Sequence, residues 1–326
     1  MENIYSERIE ALRSLMSDNG WDAVVITGSD PHSSEYPAPR WKQVEWLTGF
    51  TGEAGLWTDS RYFIQALDQL EGTGVELHKT RVPDAVSIPD WLSGKARVVA
   101  VDGLCQSVSA VQELEVALGE GCLVVDVPDM LQELWDDRPQ IPVTPVTTLD
   151  VECFGGIPRM EKISWLRKWM LIEGYDKVLL SSLDEVAWML NVRGSDIEYN
   201  PLVISYLLVS QDYVKWFVKK TVTDSELDPD TLDSFAELRM DGVDVEDYDA
   251  VFFALSDFGS DEGSGVIFID PSTLNSNVYK YISGCFPADS IVCGTSPVIL
   301  EKSVKTPSEI ENLRQTYIDD GVAMER

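Results

Sequence analysis

The stretch Leu183-Asp184-Glu185-Val186-Ala187-Trp188-Met189-Leu190-Asn191-Val192-Arg193-Gly194-Ser195-Asp196-Ile197-Glu198-Tyr199-Asn200-Pro201 obeys different rules in its two halves. From Leu183 to Val192 the apolar residues Leu183, Val186, Ala187 and Leu190 fall at i, i+3, i+4 and i+7, the spacing of a helix with one buried face. Beyond it Arg193-Gly194-Ser195-Asp196 is turn chemistry. Asn200-Pro201 then drives the chain into an extended conformation ahead of the apolar run Leu202 to Val209. The reading is helix, loop, buried strand. The loop sets Arg193, Asp196 and Glu198 around a glycine, and a loop so polar is costly to order unless another surface holds it.

Upstream of this stretch the chain repeats an earlier pattern. Tyr5, Ile9, Leu12 and Met16 lie on one helical face, Asn19-Gly20 supplies a left-handed stop, and Ala23 to Ile26 is a buried strand. Ile163, Leu166 and Met170 restate that face, Gly174 restates the stop, and Tyr175-Asp176 stands where Trp21-Asp22 stood, before the strand Val178 to Leu180. Even Arg13 matches Arg167. The later parts correspond as well: Arg97 to Asp102 and Val266 to Asp270 are β-branched runs closing on aspartate. Each is followed by a helical stretch and a short strand, Leu123 to Val127 and Ile291 to Cys293. Strands alternating with helices predict α/β units with sheets at least partly parallel, and the repeat predicts two of them. Pro139, Pro142 and Pro145 mark the linker. A chain of 326 residues suits two domains of about 150 each.

The composition limits the partners. Acidic residues outnumber basic ones 56 to 25, a formal charge of −31, so phosphate backbones and anionic membrane surfaces gain nothing from this chain. No nucleic acid and no membrane is expected. Glu2, Glu7 and Glu10 interrupt the N-terminus, which therefore does not read as a signal peptide, and no run approaches the roughly 18 apolar residues of a membrane span. Cys105, Cys122, Cys153, Cys285 and Cys293 are odd in number and show no Cys-x-x-Cys spacing, as expected of reduced core thiols in the cytoplasm. Thr306-Pro307-Ser308-Glu309 starts one more helix, with Ile310, Leu313, Tyr317 and Val322 striping a face that neither repeat needs.

Few residues offer chemistry. Trp57 to Leu70 reads as a strand end passing into a helix with Asp59 or Ser60 as N-cap, which puts Arg61 in the first turn, against the helix dipole. Two readings stand: a local pair with Asp59, or a guanidinium fork held toward a peptide carboxylate or carbonyl in a cleft. His32 sits in a polar loop directly after the first strand, where α/β proteins place ligand contacts, and reads either as a surface histidine or as a binding one. His78 lies in an alternating strand and reads as structural. Gly49, Gly52 and Gly55 have the wrong spacing for a dinucleotide loop, and no Gly-x-Ser-x-Gly elbow exists for serine hydrolysis.

Six stretches in order resemble aminopeptidase P, the Xaa-Pro aminopeptidase family, in its long three-domain form. They are Asp30 to Tyr36, Thr48 to Gly52, Trp57 to Phe63, Trp135 to Pro139, Leu183 to Pro201 and Lys305 to Glu311. The resemblance implies two tandem creatinase/prolidase N-terminal-like domains, 1–145 and 146–302, each a mixed sheet flanked by helices and related by duplication. Residues 303–326 would then be the first helix of a C-terminal pita-bread catalytic domain. It implies a cytosolic parent enzyme that releases the first residue of a peptide with proline second, using two divalent ions, usually manganese, bound in that C-terminal domain. None of the family's metal-ligand motifs occurs here, so no catalytic and no metal-binding residue is expected in this chain. The expected role of these domains is to shape the active-site entrance and select substrate. Arg61 is the arginine of a motif associated with substrate binding, and His32, from its polar loop after the first strand, is the second substrate-binding candidate. A homodimer, if formed, would use the C-terminal part. The alternative is a stand-alone peptide- or protein-binding module, because creatinase-like domains also occur in a non-enzymatic histone-chaperone subunit. One departure stands out: family members carry a hairpin's worth of residues where Leu56 alone separates Gly52-Glu53-Ala54-Gly55 from Trp57-Thr58-Asp59.

Overall fold

The computed structural model describes residues 4–47, 54–70, 75–154, 156–219, 228–260 and 265–326. The chain folds as two units, Met1–Gln140 with Asn275–Asn277, and Ile141–Leu274 with Val278–Arg326. The motif Thr48 to Gly52, and with it Gly49 and Gly52, lies outside the described residues.

In unit 1, α1 (Ile4–Asn19) buries Ile9 and Leu12 and stops where Gly20 takes φ +70°, a conformation glycine adopts without a Cβ penalty. Then follow β1 (Ala23–Val25), α2 (Gln43–Leu47), β2 (Ala54–Thr58), α3 (Phe63–Leu70), β3 (Val75–Lys79), α4 (Ile88–Leu92), β4 (Val98–Val101), α5 (Val108–Leu118) and β5 (Leu123–Asp126). β1 pairs parallel with β4 and β4 with β5, while β2 and β3 form a separate parallel pair. Among the described residues two apolar clusters flank the three-stranded sheet. One gathers Leu12, Trp46, Leu131 and Trp135, the other Leu92, Val99, Val101 and Val111.

Unit 2 comprises β6 (Thr147–Thr148), α6 (Val151–Phe154), α7 (Arg159–Glu173), β7 (Lys177–Leu180), α8 (Leu183–Leu190), β8 (Val192–Arg193), β9 (Ser205–Ser210), β10 (Val214–Val218), α9 (Pro229–Met240), β11 (Val243–Asp247), α10 (Ala250–Ser260), β12 (Ile267–Ile269), α11 (Ser276–Cys285), β13 (Ile291–Cys293), α12 (Pro297–Ser303) and α13 (Pro307–Glu325). Its main sheet runs β11-β10-β9-β7-β12-β13. β9 is antiparallel to both neighbours and the remaining pairs are parallel, so this sheet is mixed, whereas the described strands of unit 1 pair only in parallel. One continuous core includes Leu166, Met170, Leu207, Trp216 and Phe235.

The two units share one plan. β1-β4-β5 and β7-β12-β13 have the same order and direction, and β2-β3 answers β10-β11. The turns match atom for atom: Trp21 N–H donates to Met16 O at 2.9 Å, Tyr175 N–H to Met170 O at 2.8 Å, and Gly174 repeats the left-handed stop at φ +80°. Asp22 Oδ2 accepts the Val98 N–H at 2.9 Å, and Asp176 Oδ2 accepts the Val266 N–H at 2.7 Å. The creatinase-type α/β duplication read from sequence is present.

Several local expectations change. α8 ends at Leu190 because Asn191 turns left-handed (φ 55°), and Val192-Arg193 pairs with β6 instead of starting a turn. α3 begins at Phe63, so Arg61 stands before the helix, in a turn capped by its own neighbour Asp59. Of the five cysteines, all free thiols, only Cys105 is buried, while Cys153 and Cys293 are exposed.

Candidate functional site

Arg61 and Asp59 form a closed local system. The Asp59 carboxylate accepts from Arg61 N–H at 3.0 Å, from Nε at 3.0 Å and from Nη2 at 2.8 Å, and the guanidinium lies 5.4 Å from the Tyr62 ring centroid. The hydrogen bonds from Arg61 hold the Asp59 carboxyl down at about 2. Arg61 keeps a largely exposed side chain, 64% open to solvent. The pair is a pre-formed fork whose outer donors face water.

His32 lies elsewhere in the same unit and is buried, at 2% exposure. Asp30 holds its loop: Oδ1 accepts the N–H groups of His32 and Ser34, both at 2.9 Å, and Ser33 takes φ +56°. Beside it, at the carboxyl ends of β1 and β4, Asp102 Oδ1 accepts from Leu104 N–H at 3.0 Å and Asp129 N–H at 2.9 Å. Asp102 Oδ2 accepts from Gln43 Nε2 at 3.3 Å. Burial pushes the Asp102 carboxyl up, and burial with the nearby Asp102 and Asp30 pushes the Cys105 thiol well up. Arg138 pairs with Asp129 and donates from Nε to Arg40 O at 3.0 Å.

Unit 2 repeats this arrangement. Asp270, after β12, accepts from Ser272 N–H at 2.9 Å and Ser296 N–H at 2.8 Å, as Asp102 does after β4. Glu185, on α8 after β7, answers Gln43, on α2 after β1, and accepts from Ser296 Oγ at 2.7 Å. Burial and, secondarily, Asp270 raise its carboxyl to about 7 against the lowering effect of that bond.

The loop after α8 turns on Asp196. Its carboxylate accepts from Thr144 Oγ1 at 2.6 Å, Thr144 N–H at 3.2 Å and Ile204 N–H at 2.8 Å, which ties the linker to the entry of β9. Arg193 donates from Nη1 to Val192 O at 2.8 Å. The far tip carries Tyr199, left-handed at φ +61° and 98% exposed. Between this segment and α13 lies a cavity of about 290 Å³, lined among others by Lys162, Trp188, Asn191, Arg193, Lys305 and Glu309. The Lys162 ammonium bonds to Trp188 O and Asn191 Oδ1 and sits 4.5 Å from the Trp188 ring centroid, and burial lowers its pKa to about 7. Sequence reasoning missed Lys162, because a lysine one position before a core isoleucine carries no periodic signal of burial.

These side chains are structural in their bonding. The buried carboxylates of Asp30, Asp102, Asp196 and Asp270 accept backbone N–H groups, which leaves them poorly placed for general acid–base work or for a metal. A di-metal centre needs several His, Cys or carboxylate ligands converging at one point, and no such group exists among the described residues.

The comparisons with known proteins follow this geometry. The creatinase/prolidase N-terminal domain family matches residues 8–134 and again, through a second model of the same description, residues 137–309. Xaa-Pro aminopeptidase 1 of Dictyostelium discoideum is 30% identical over 341 residues, covering 98% of this chain and 52% of that protein. The probable Xaa-Pro aminopeptidase P of Chaetomium globosum is 34% identical over 345 residues, covering 97% and 53%. A crystal structure of X-prolyl aminopeptidase from Caenorhabditis elegans, described as a cytosolic enzyme with a di-nuclear active site, superposes with a TM-score of 0.78 at 30% identity, over 92% of this chain and 50% of that one. The chain thus spans about half the length of the curated relatives it matches. Among the described residues no helix is long and apolar enough to cross a membrane.

Proposed function

This chain belongs to the creatinase/prolidase N-terminal domain family twice over, and from that premise we propose that it is the non-catalytic N-terminal half of a cytosolic Xaa-Pro aminopeptidase. The observation that carries the reading is the match itself. Identity of 30 to 34% runs over nearly the whole chain and over only half of relatives bearing that name. In the proposed parent, two divalent ions, manganese by family habit, activate water in the other half, and this chain supplies no ligand to them. Domains 1–145 and 146–302 border the active-site entrance and take part in selecting peptide substrates. Residues 303–326 begin the catalytic domain, whose body would cover the exposed stripe of Leu313, Tyr317 and Val322 on α13. Any homodimer forms through that other half.

Within this reading Arg61 is the contact to substrate, and the Asp59 carboxylate holds the fork in place until a peptide carbonyl or carboxylate arrives. His32, buried under its loop, positions the segment beside it. The test uses the reading frame extended through the metal domain, assayed on a short Xaa-Pro peptide. Losing a charge-assisted contact made in the transition state should lower kcat/KM of Arg61→Ala about 10- to 150-fold with stability nearly unchanged. The 326-residue chain alone should not turn over. An unchanged kcat/KM removes Arg61 from the site, and turnover by the chain alone overturns the division of labour.

A further inference from the structure

One cavity of unit 2 gathers positive charge in a strongly acidic chain. It is walled by α6, α7, α8, β8 and α13 and holds about 290 Å³, at the small end of the roughly 300 to 1,000 Å³ of small-molecule sites. Among the described residues its wall carries three cations, Lys162, Arg193 and Lys305, and one carboxylate, Glu309. With 56 acidic residues to 25 basic ones, cations are the scarce partner in this chain, and Lys302, in the segment that leads to α13, pairs with Asp184. The three cations of the cavity pair with no carboxylate among the described residues.

Neutral oxygens hold each cation instead. Lys162 bonds to Trp188 O and Asn191 Oδ1, and Lys305 to Lys302 O. Arg193 donates from Nη1 to Val192 O at 2.8 Å and to Ala187 O at 3.3 Å. Its Nε–Nη2 edge, the fork that takes a carboxylate through two parallel bonds, donates to nothing among the described residues. Glu309 is already engaged, since its Oε2 accepts the Thr306 N–H at 2.7 Å in the capping box of α13. Burial lowers the Lys162 ammonium to about 7, with Glu309 opposing and Arg193 and Arg159 adding their repulsion. Burial lowers Arg193 as well. The rest of the wall is apolar, formed by Leu149, Val151, Phe154, Trp188 and Leu313. Phe154 and Leu313 are 55% and 44% exposed, so the cavity opens to solvent beside them, whereas Lys162 is buried at 2%.

We infer that this cavity is a binding site for a small monocarboxylate with an apolar body, its carboxylate meeting Arg193, Lys162 and Lys305 and its body lying against Trp188, Phe154 and Leu313. A cation taken out of water without an anion is costly, and an entering carboxylate supplies the missing partner through charge-assisted hydrogen bonds. An inorganic anion leaves the apolar wall without a contact, and a neutral apolar molecule leaves the cations unpaired, so the two halves of the ligand are both required. The site is built from residues of unit 2 alone. It is independent of the peptidase reading, since it involves neither Arg61 nor a metal ion.

The probe is 4-phenylbutyrate, titrated by calorimetry into the 326-residue chain. Binding should saturate at one molecule per chain. Arg193→Gln should weaken it about 10- to 150-fold, the loss expected for a charge-assisted contact, and Lys305→Gln, at an exposed ammonium, about two- to fivefold. Circular dichroism checks that each variant is folded, and the exposed Lys305 position keeps the test decisive if Arg193→Gln is not. 4-Phenylbutan-1-ol keeps the body without the charge, while acetate and inorganic phosphate keep a charge without the body. Each should bind about tenfold more weakly than 4-phenylbutyrate, or weaker still. Equal binding of the alcohol would mark an apolar cleft with no use for its cations, and equal binding of acetate or phosphate would mark an adventitious ion only. Unchanged affinity in either folded variant would place the probe elsewhere, and the lack of saturable binding would remove the site. Each of these results overturns the inference.

Discussion

At the scale of single residues, the repeat supplies its own comparison of Glu185 with Gln43. Gln43 sits on α2, after β1, near Asp102 at the end of β4, and Glu185 on α8, after β7, near Asp270 at the end of β12, yet only Glu185 is a carboxyl group in competition with its aspartate. Its carboxyl is raised from 4.5 to about 7. The folded protein therefore holds a proton that the unfolded chain has released between these values. Stability contributed by this group is complete below 4.5 and is lost as pH rises through 7. The loss is on the order of 3 kcal/mol at 1.36 kcal/mol per unit. Glu185→Gln copies the arrangement of unit 1 and should abolish that slope. Urea titrations of both proteins should coincide near pH 4 and diverge above pH 7 in favour of the variant, and parallel curves throughout would assign the titration elsewhere.

At the scale of elements, the start at Thr306, the stops at Gly20 and Gly174 and the repeat were legible because each depends on near neighbours, whereas the start of α3 and the end of α8 were displaced. Thr306 and Glu309 exchange side-chain and backbone bonds as a capping box, and Gly20 and Gly174 turn left-handed where the apolar faces end. What the sequence hid was every role set by distant partners. Arg159 is buried at the start of α7 and donates to Leu190 O, Glu237 and Asp241, and β8 exists only because β6 lies opposite. The loop after α8 belongs to both classes. Its turn chemistry is plain and its polarity calls for a surface to hold it, but the sequence does not show that Asp196 is the buried peg between Thr144 and Ile204. Asp196→Ala leaves the Ile204 N–H buried without an acceptor and should cost roughly 2 to 4 kcal/mol. Thermal unfolding followed at Trp216 would register the loss. A change below about 0.5 kcal/mol would mean that the loop is held by its other contacts.

At the scale of the whole chain, the two units share a plan, and among the described residues the first has its strands in two separate sheets, which predicts unequal stability. The charge of −31 and the apolar content of 44% belong to the chain as a whole and say nothing about where its weak point lies. The sheets do. Unit 2 buries β9 on both faces and both edges within one core, while the described strands of unit 1 form sets of three and two beside smaller clusters. Local stability follows buried apolar surface and protected backbone bonds, so unit 1 should open first. Urea unfolding should then show two transitions. Exchange at Val99 to Val101 of β4 should report the lower one, and exchange at Leu207 to Val209 of β9 the higher. Leu207→Ala, which empties a fully buried position of unit 2, should cost about 2 to 5 kcal/mol and move only the higher transition. A single transition shared by both sets of amides would show instead that the two units fold as one.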